Sequence, residues 1–151
     1  MTNEELKVLL TEKFPEGEIA EGAQYIELTV KPELLHEAGK MLKEMAETSF
    51  DYLICLSGVD YPAYMTVVYH LESTKHRHVM VLKVKSADRV DVKIDTVSDI
   101  WHTAKYHERE VYDLLGIVFN NHQDLRRLFL EDGWGFPLRK DYVDEVRIVE
   151  R

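Results

Sequence analysis

Three neighbouring stretches decide the fold: Asp51-Tyr-Leu-Ile-Cys-Leu-Ser-Gly-Val59, Tyr64-Met-Thr-Val-Val-Tyr-His-Leu-Glu72 and Arg77-His-Val-Met-Val-Leu-Lys-Val-Lys85. The second puts Met65, Val67, Tyr69 and Leu71 on one face. The third does the same with His78, Met80, Leu82 and Val84. A period of two is that of a half-buried strand. The first stretch is nearly continuous in apolar residues, which predicts a central strand. Asp60-Tyr-Pro-Ala63 and Ser73–His76 are short and carry turn chemistry, so the three strands are expected to form an antiparallel meander.

Working outward, Thr2 and Glu5 fit a capping box ahead of Leu6, Leu9, Leu10 and Phe14 at helical spacing, and Pro15-Glu-Gly17 ends that helix. Strand-like runs at Gly17–Ala20 and Tyr25–Val30 flank a turn at Glu21-Gly22. Pro32 is expected to open a second helix, whose one-sided stripe of Leu34, Leu35, Ala38, Met41, Leu42, Met45 and Ala46 would pack on a sheet. Residues Ser86–Val97 read as a short crossover, and Trp101–Leu115 as a third helix closed by Gly116. Helices segregated from strands imply an α+β fold: two layers, helices on a mixed, largely antiparallel sheet of about five strands. The division expected is a core domain over 1–116 and an extended C-terminal docking arm over 117–151.

The chain has 151 residues, enough for one domain with a real core. Its net charge of −9 is uneven: 13 acids and 5 bases in residues 1–60, against 15 acids and 14 bases in 61–151. No basic stripe suits nucleic acid. The acidic start carries no secretory signal pattern, and no apolar run approaches the roughly 18 residues of a membrane span. The single cysteine, Cys55, lies in an apolar run and reads as a buried thiol in a reducing compartment. One thiolate cannot hold an iron–sulfur cluster or a Cys-type zinc site.

Among the seven histidines, His70 and His78 could meet across a hairpin, but two ligands beside Arg77 make a poor metal site. His107-Glu108 begins like a zincin helix, yet Val111 stands where the second ligand belongs. Phosphate-binding glycine motifs and a nucleophile elbow are absent.

The third helix carries the densest chemistry. Trp101, Ala104, Glu108, Val111 and Leu115 share one stripe at 100° per residue, leaving Tyr106, Arg109, Glu110 and Asp113 to point the other way. A carboxylate on a buried stripe needs a donor. Arg126 and Arg127 are the expected partners of Glu108, with Arg139 and Lys140 also in supply. A general acid/base pair of Glu108 and Glu110 in a freestanding enzyme is the competing reading, but no substrate-binding group accompanies them. Beyond Gly116, Phe119, Leu125, Leu128, Phe129, Leu130, Trp134 and Phe136 show neither helical nor strand period. They have no evident intramolecular face, so the arm is expected to be partly mobile in the free chain and to bury on the order of 800 Å² on a partner.

At these residues the chain resembles a known family. Trp101-x-x-Ala104-x-Tyr106-x-Glu108-Arg109-Glu110-x-x-Asp113-x-x-Gly116-Ile117-x-Phe119-x-x-His122-x-Asp124-Leu125-Arg126-Arg127 is similar to the C subunit of NADH-quinone oxidoreductase, the thirty-kilodalton subunit of respiratory complex I. Trp134-x-x-Pro137-Leu138-Arg139-Lys140-Asp141-Tyr142 resembles that family's second motif. Phe136 stands where many members have His, and Val143 where Pro is usual. The resemblance covers residues 98–142; residues 1–97 match only in the order of elements.

What the resemblance implies is a non-catalytic, peripheral-arm subunit on the cytoplasmic side of the membrane. It would reach the membrane only through its complex and scaffold the quinone-site D subunit, near the B and I subunits. It implies no cofactor on this chain; NADH, FMN, iron–sulfur clusters and quinone belong to partner subunits. The motif residues Glu108, Arg109, Glu110, Asp113, His122, Arg126, Arg127, Trp134, Pro137, Leu138, Arg139, Lys140 and Asp141 would serve the subunit interface. Related subunits occur in membrane-bound hydrogenases, formate hydrogenlyase and deazaflavin-dependent quinone reductases, so an equivalent scaffold in one of those complexes is the alternative.

Overall fold

A computed structural model describes residues 1–144; residues 145–151, the end of the expected arm, lie outside the described residues. Helix α1 spans Asn3–Lys13 behind the expected capping box: the Thr2 hydroxyl accepts from the Glu5 N–H at 3.2 Å and the Glu5 carboxylate from the Thr2 N–H at 2.8 Å. Strands β1 (Glu18–Glu21) and β2 (Ile26–Val30) follow. Pro32 opens a single 3-10 turn, Pro32–Leu34, rather than an α-helix; α2 begins at Leu35 and ends at Glu44.

The meander is present as β3 (Tyr52–Asp60), β4 (Met65–Ser73) and β5 (His78–Lys85). The five-stranded sheet runs β1-β2-β5-β4-β3, with β2 and β5 parallel and the other pairs antiparallel. The first stretch is therefore an edge strand, not a central one. Its apolar run misleads because the register shifts between Leu53 and Cys55. A bulge of this kind changes which parity faces inward. Leu53 and Leu56 are both buried, while Tyr52 and Ile54 are exposed.

One core joins Leu6 and Leu10 of α1, Leu35, Ala38 and Leu42 of α2, and the inward rows of β2, β4 and β5. The other sheet face carries polar pairs such as Lys83–Glu27 at 2.6 Å. Helix α3 spans Ala104–Leu115, starting later than expected because Trp101 lies outside any regular element and residues 102–103 form a turn. The Trp101 indole is buried and donates to the Phe50 carbonyl at 2.9 Å, which fixes the entry to α3. Helix α3 lies on β3 where Gly58 has no side chain; a Cβ there would collide with Leu115 Cδ1 and stand 3.0 Å from Val111 Cγ1. Gly58→Ala should cost about 1–3 kcal/mol by overpacking this contact, measured by urea unfolding; an unchanged midpoint would mean that α3 has room to shift.

The expected crossover holds a strand of its own. Strand β6 (Lys93–Asp95) pairs in parallel with β7 (Val118–Asn120), forming a second, two-stranded sheet. Phe119 of β7 is part of the main core. Thus the chain leaving α3 at Gly116 is drawn inward before it runs out along the helix.

Candidate functional site

Trp101, Ala104, Glu108, Val111 and Leu115 are all buried, as their shared stripe requires. Arg109 and Asp113, expected to point away from the core, are nevertheless buried at 5% and 0% exposure. The arm folds back over that side of α3. Glu110 and Tyr106 remain exposed.

Asp113 organises the first half of the arm. Its Oδ2 accepts the backbone N–H groups of Leu128, Phe129 and Leu130 at 3.2, 2.7 and 3.1 Å. Its Oδ1 accepts from Arg127 Nη1 at 3.0 Å. Arg127 also donates to the carbonyls of Asp113 and Gly135, at 3.0 and 2.9 Å. Arg109 donates to the carbonyls of Arg126 and Arg127, at 3.2 and 3.0 Å. One turn of helix therefore satisfies the N–H groups of residues 128–130 and the carbonyls of residues 126 and 127, in a segment with no ladder of its own. Burial pushes the Asp113 carboxyl upward, but the bonds from Phe129, Arg127, Leu130 and Leu128 outweigh it and hold the group below its ordinary range.

The second half is pinned beside the C-terminus of α3. Gly116 takes the left-handed conformation, φ 73°, and its missing side chain leaves room for the Phe136 ring. That ring meets Tyr112 edge-on and lies 5.3 Å from the Arg127 guanidinium and 5.2 Å from that of Arg139. Leu138 N–H and Arg139 Nε satisfy the carbonyls of Leu114 and Leu115, at 3.0 and 2.6 Å. Asp60, at the end of β3, accepts from the Lys140 N–H at 2.8 Å and from Arg89, which also bridges to Asp141. The Arg89 guanidinium beside Asp60 holds its carboxyl below the ordinary value.

The expectation that the arm has no face on its own chain is thus corrected: α3 and β3 supply one. Not all of the arm's apolar surface is used, however. Phe129 and Leu138 stand 68% and 60% exposed, and Trp134 38%.

Glu108 is buried, but Arg126 and Arg127 are not its partners. Arg126 binds Asp124, and Arg127 belongs to Asp113. Glu108 faces the strand side of α3, where its Oε2 accepts from the Thr96 hydroxyl at 2.5 Å and its Oε1 from the Val97 N–H at 2.8 Å. His122 Nε2 is 3.7 Å away. His122 Nδ1 accepts from the Asp124 N–H at 3.0 Å, so the ring carries its proton on Nε2, which donates to the Lys105 carbonyl at 2.9 Å. With no fixed cation in contact among the described residues, burial pushes the Glu108 carboxyl up to about 7, against the lowering effect of Thr96 and Val97. Beside it opens a polar cleft of about 560 Å³ whose lining includes His36, Thr96, Ser98, Asp99, His102 and Lys105.

The histidine pair considered for metal is not assembled: His70 contacts Cys55 Sγ at 3.4 Å, while His78 stacks on His76. Among the described residues no group of three or more His, Cys, Asp or Glu side chains is placed to hold a metal ion.

The model of the respiratory-chain NADH dehydrogenase 30 Kd subunit family matches residues 28–146. The chain belongs to that family. It is 41% identical to the NADH-quinone oxidoreductase C subunit of Geobacter sulfurreducens, over 93% of this chain and 89% of that one. The C subunit of Chloroherpeton thalassium is 47% identical over 70% of this chain, a match spanning 45% of that protein. The NADH-quinone oxidoreductase C/D subunit of Phocaeicola vulgatus is 45% identical over 79% of this chain, spanning 23% of its own length. The fold is shared, at TM-score 0.79 and 24% identity, with a chain in the structure of an archaeal membrane-bound sulfane sulfur reductase; the match covers 95% of this chain and 86% of that one.

In this member of the 30 Kd subunit family, Arg109, Asp113 and Arg127 of the expected motif hold the first half of the arm, and Arg139, Lys140 and Asp141 hold the second. Glu108 and His122 form a separate buried cluster with Thr96 and Val97. Pro137 is half-buried in the arm, while Glu110 and Arg126 stay at the surface. Sequence reasoning misses Asp60, Arg89 and Thr96. They lie outside the motif, in a strand end and two loops, and carry no local pattern that announces a partner so distant along the chain.

Proposed function

We propose that this chain is the non-catalytic subunit of a proton-pumping NADH:quinone oxidoreductase that scaffolds the quinone-site D subunit during electron transfer from NADH to quinone. It would lie in the peripheral arm at the cytoplasmic face of the membrane, near the B and I subunits. The observation that carries this reading is the arm itself: polar groups are turned inward onto α3 and β3, while Phe129 and Leu138 are held outward. Exposed large apolar groups on a braced segment suit a permanent partner. Relatives named as C/D subunits, which contain a region like this chain, support the D subunit as that partner. Among the described residues no helix is long and apolar enough to cross a membrane, so attachment through the complex is consistent. On this reading NADH, FMN, the iron–sulfur clusters and quinone are held by the partner subunits.

A scaffold in a hydrogenase-type complex is the second reading, and the shared fold with the reductase chain is compatible with it. The identities of 41% and 47% to C subunits favour the first. A freestanding enzyme built on Glu108 and Glu110 has less support, because the former is enclosed and the latter is on the solvent side.

The test is capture of this chain by the tagged quinone-site D subunit of the same organism. Phe129→Ala and Leu138→Ala should each weaken capture by about 2 kcal/mol, roughly thirtyfold, as interface anchors do, and leave thermal melting unchanged. Capture at parental strength by the double variant would refute the docking reading.

A further inference from the structure

The hydrogen bonds around Glu108 can be made in two complete ways, one for each protonation state. Thr96 Oγ1 touches three groups: Glu108 Oε2, Ser98 Oγ at 2.8 Å and the Ser98 N–H at 3.1 Å. A hydroxyl has one proton and two lone pairs. With Glu108 ionised, Thr96 donates to the carboxylate and accepts from both groups of Ser98. With Glu108 neutral, the carboxyl O–H donates to Thr96, whose own proton turns to Ser98 Oγ, and the Ser98 N–H is still accepted. The Val97 N–H serves Oε1 in either state. Ser98 and Thr96 both line the polar cleft.

We propose that Glu108 is a reversible proton-binding site, exchanging with the cleft through the hydroxyls of Thr96 and Ser98. A proton arriving on Ser98 Oγ displaces that hydroxyl's own proton to Thr96 Oγ1. Thr96 in turn passes its proton to Glu108 Oε2. The chain of three groups ends with reversed polarity and one added proton, and release runs the same steps backwards. Among the described residues no fixed cation contacts the carboxyl. From the sheet, Tyr69 is a fully buried phenol held well above its ordinary value by burial and by Glu108 itself. From the loop after β7, His122 presents its Nε2–H, committed to the Lys105 carbonyl. Asp99, which disfavours the anion, lines the cleft and is bound to His36 at 2.7 Å; Asp95, His102 and Lys105 complete its charged lining. On α3, Arg109 is turned to the arm carbonyls.

The test uses the full chain labelled with carboxyl-13C glutamate and titrated by NMR. One resonance should titrate with a midpoint near 7 and vanish in Glu108→Gln, whose amide reproduces the neutral state's bonds to Thr96 and Val97. The sign for stability follows from the raised value. The contribution of Glu108 to folding is fully present below its unfolded pKa of about 4.3. It is lost as pH rises through about 7. The melting temperature of the parent relative to Glu108→Gln should therefore fall across that window. Two further variants report on the hydroxyls. Thr96→Val removes the donor to the anion and should move the midpoint up. Ser98→Ala removes the acceptor that Thr96 needs in the neutral state and should move it down. A midpoint below 5 in the parent, a neutral-range resonance surviving in Glu108→Gln, or shifts of the same sign in the two hydroxyl variants would overturn the proposal.

Discussion

Asp113→Ala will detach the first half of the arm at a folding cost of about 3–5 kcal/mol and, on the proposed docking, abolish capture by the quinone-site D subunit. The size follows from what the carboxylate leaves behind. Arg127 loses its only carboxylate contact among the described residues, and the N–H groups of Leu128, Phe129 and Leu130 lose their shared acceptor. A cost of that order is a large share of a small domain's usual total of about 5–15 kcal/mol. Asp113→Asn is the sharper probe, because it keeps the volume and one acceptor oxygen while removing the charge. Its deficit should depend on pH in a known direction. The folded Asp113 is held below its ordinary value, so its stabilisation is present above the unfolded pKa of about 3.9 and is lost as pH falls through the folded one. Parent and Asp113→Asn should therefore converge in acid and separate above about pH 4–5. Thermal melts across that range check the sign, and amide hydrogen exchange at residues 128–130 checks the site. Protection of those amides at the parental level in Asp113→Ala would show that the arm is held by other means.

How far the sequence can be read has a physical pattern. Period-two alternation in β4 and β5 reports a sheet with one face on a core, and both strands stand where that alternation puts them. A helical wheel reports which side of α3 faces the sheet, so the burial of Glu108 is legible. It says nothing about chain that returns after Gly116. Asp113 and Arg109 sit on the side the wheel calls outward, and they are covered by the arm rather than the sheet. The expected pairing of Glu108 with a tail arginine fails for the same reason: charge supply along the sequence does not tell on which side of the helix that supply will lie. Strand β3 is misplaced by its sequence because a bulge at its start changes which parity faces the core, so Leu53 and Leu56 share the buried face while Tyr52 and Ile54 stay exposed on an edge strand. Strands β6 and β7, three residues each, are too short to show any period. Gly116 is legible as a helix stop, but its second role, making room for Phe136, needs the three-dimensional structure.

That second role makes Gly116→Ala the other large effect, and one that can be divided into its causes. A non-glycine residue in the left-handed region costs about 1–2 kcal/mol through its backbone alone. At Gly116 the added Cβ would also stand 2.6 Å from both Cδ2 and Cε2 of Phe136, a separation real Cβ contacts do not show. The ring has little freedom to yield, since Arg127, Arg139 and Tyr112 surround it. Forcing it aside adds about 1–3 kcal/mol, the usual range for overpacking. It also breaks the path from Phe136 to Leu138 and Lys140, whose N–H groups tie the arm to Leu114 and Asp60. The expected total is therefore about 2–5 kcal/mol, together with loss of capture by the D subunit on the proposed docking. A double-mutant cycle with Phe136→Ala separates the two terms. Once the ring is gone, Gly116→Ala should cost only the backbone share. The coupling should thus equal the steric share and relieve the double variant. Urea unfolding of the four chains measures it. If Gly116→Ala costs the same with and without the Phe136 ring, the close approach is not what selects glycine here, and the left-handed backbone alone explains the residue.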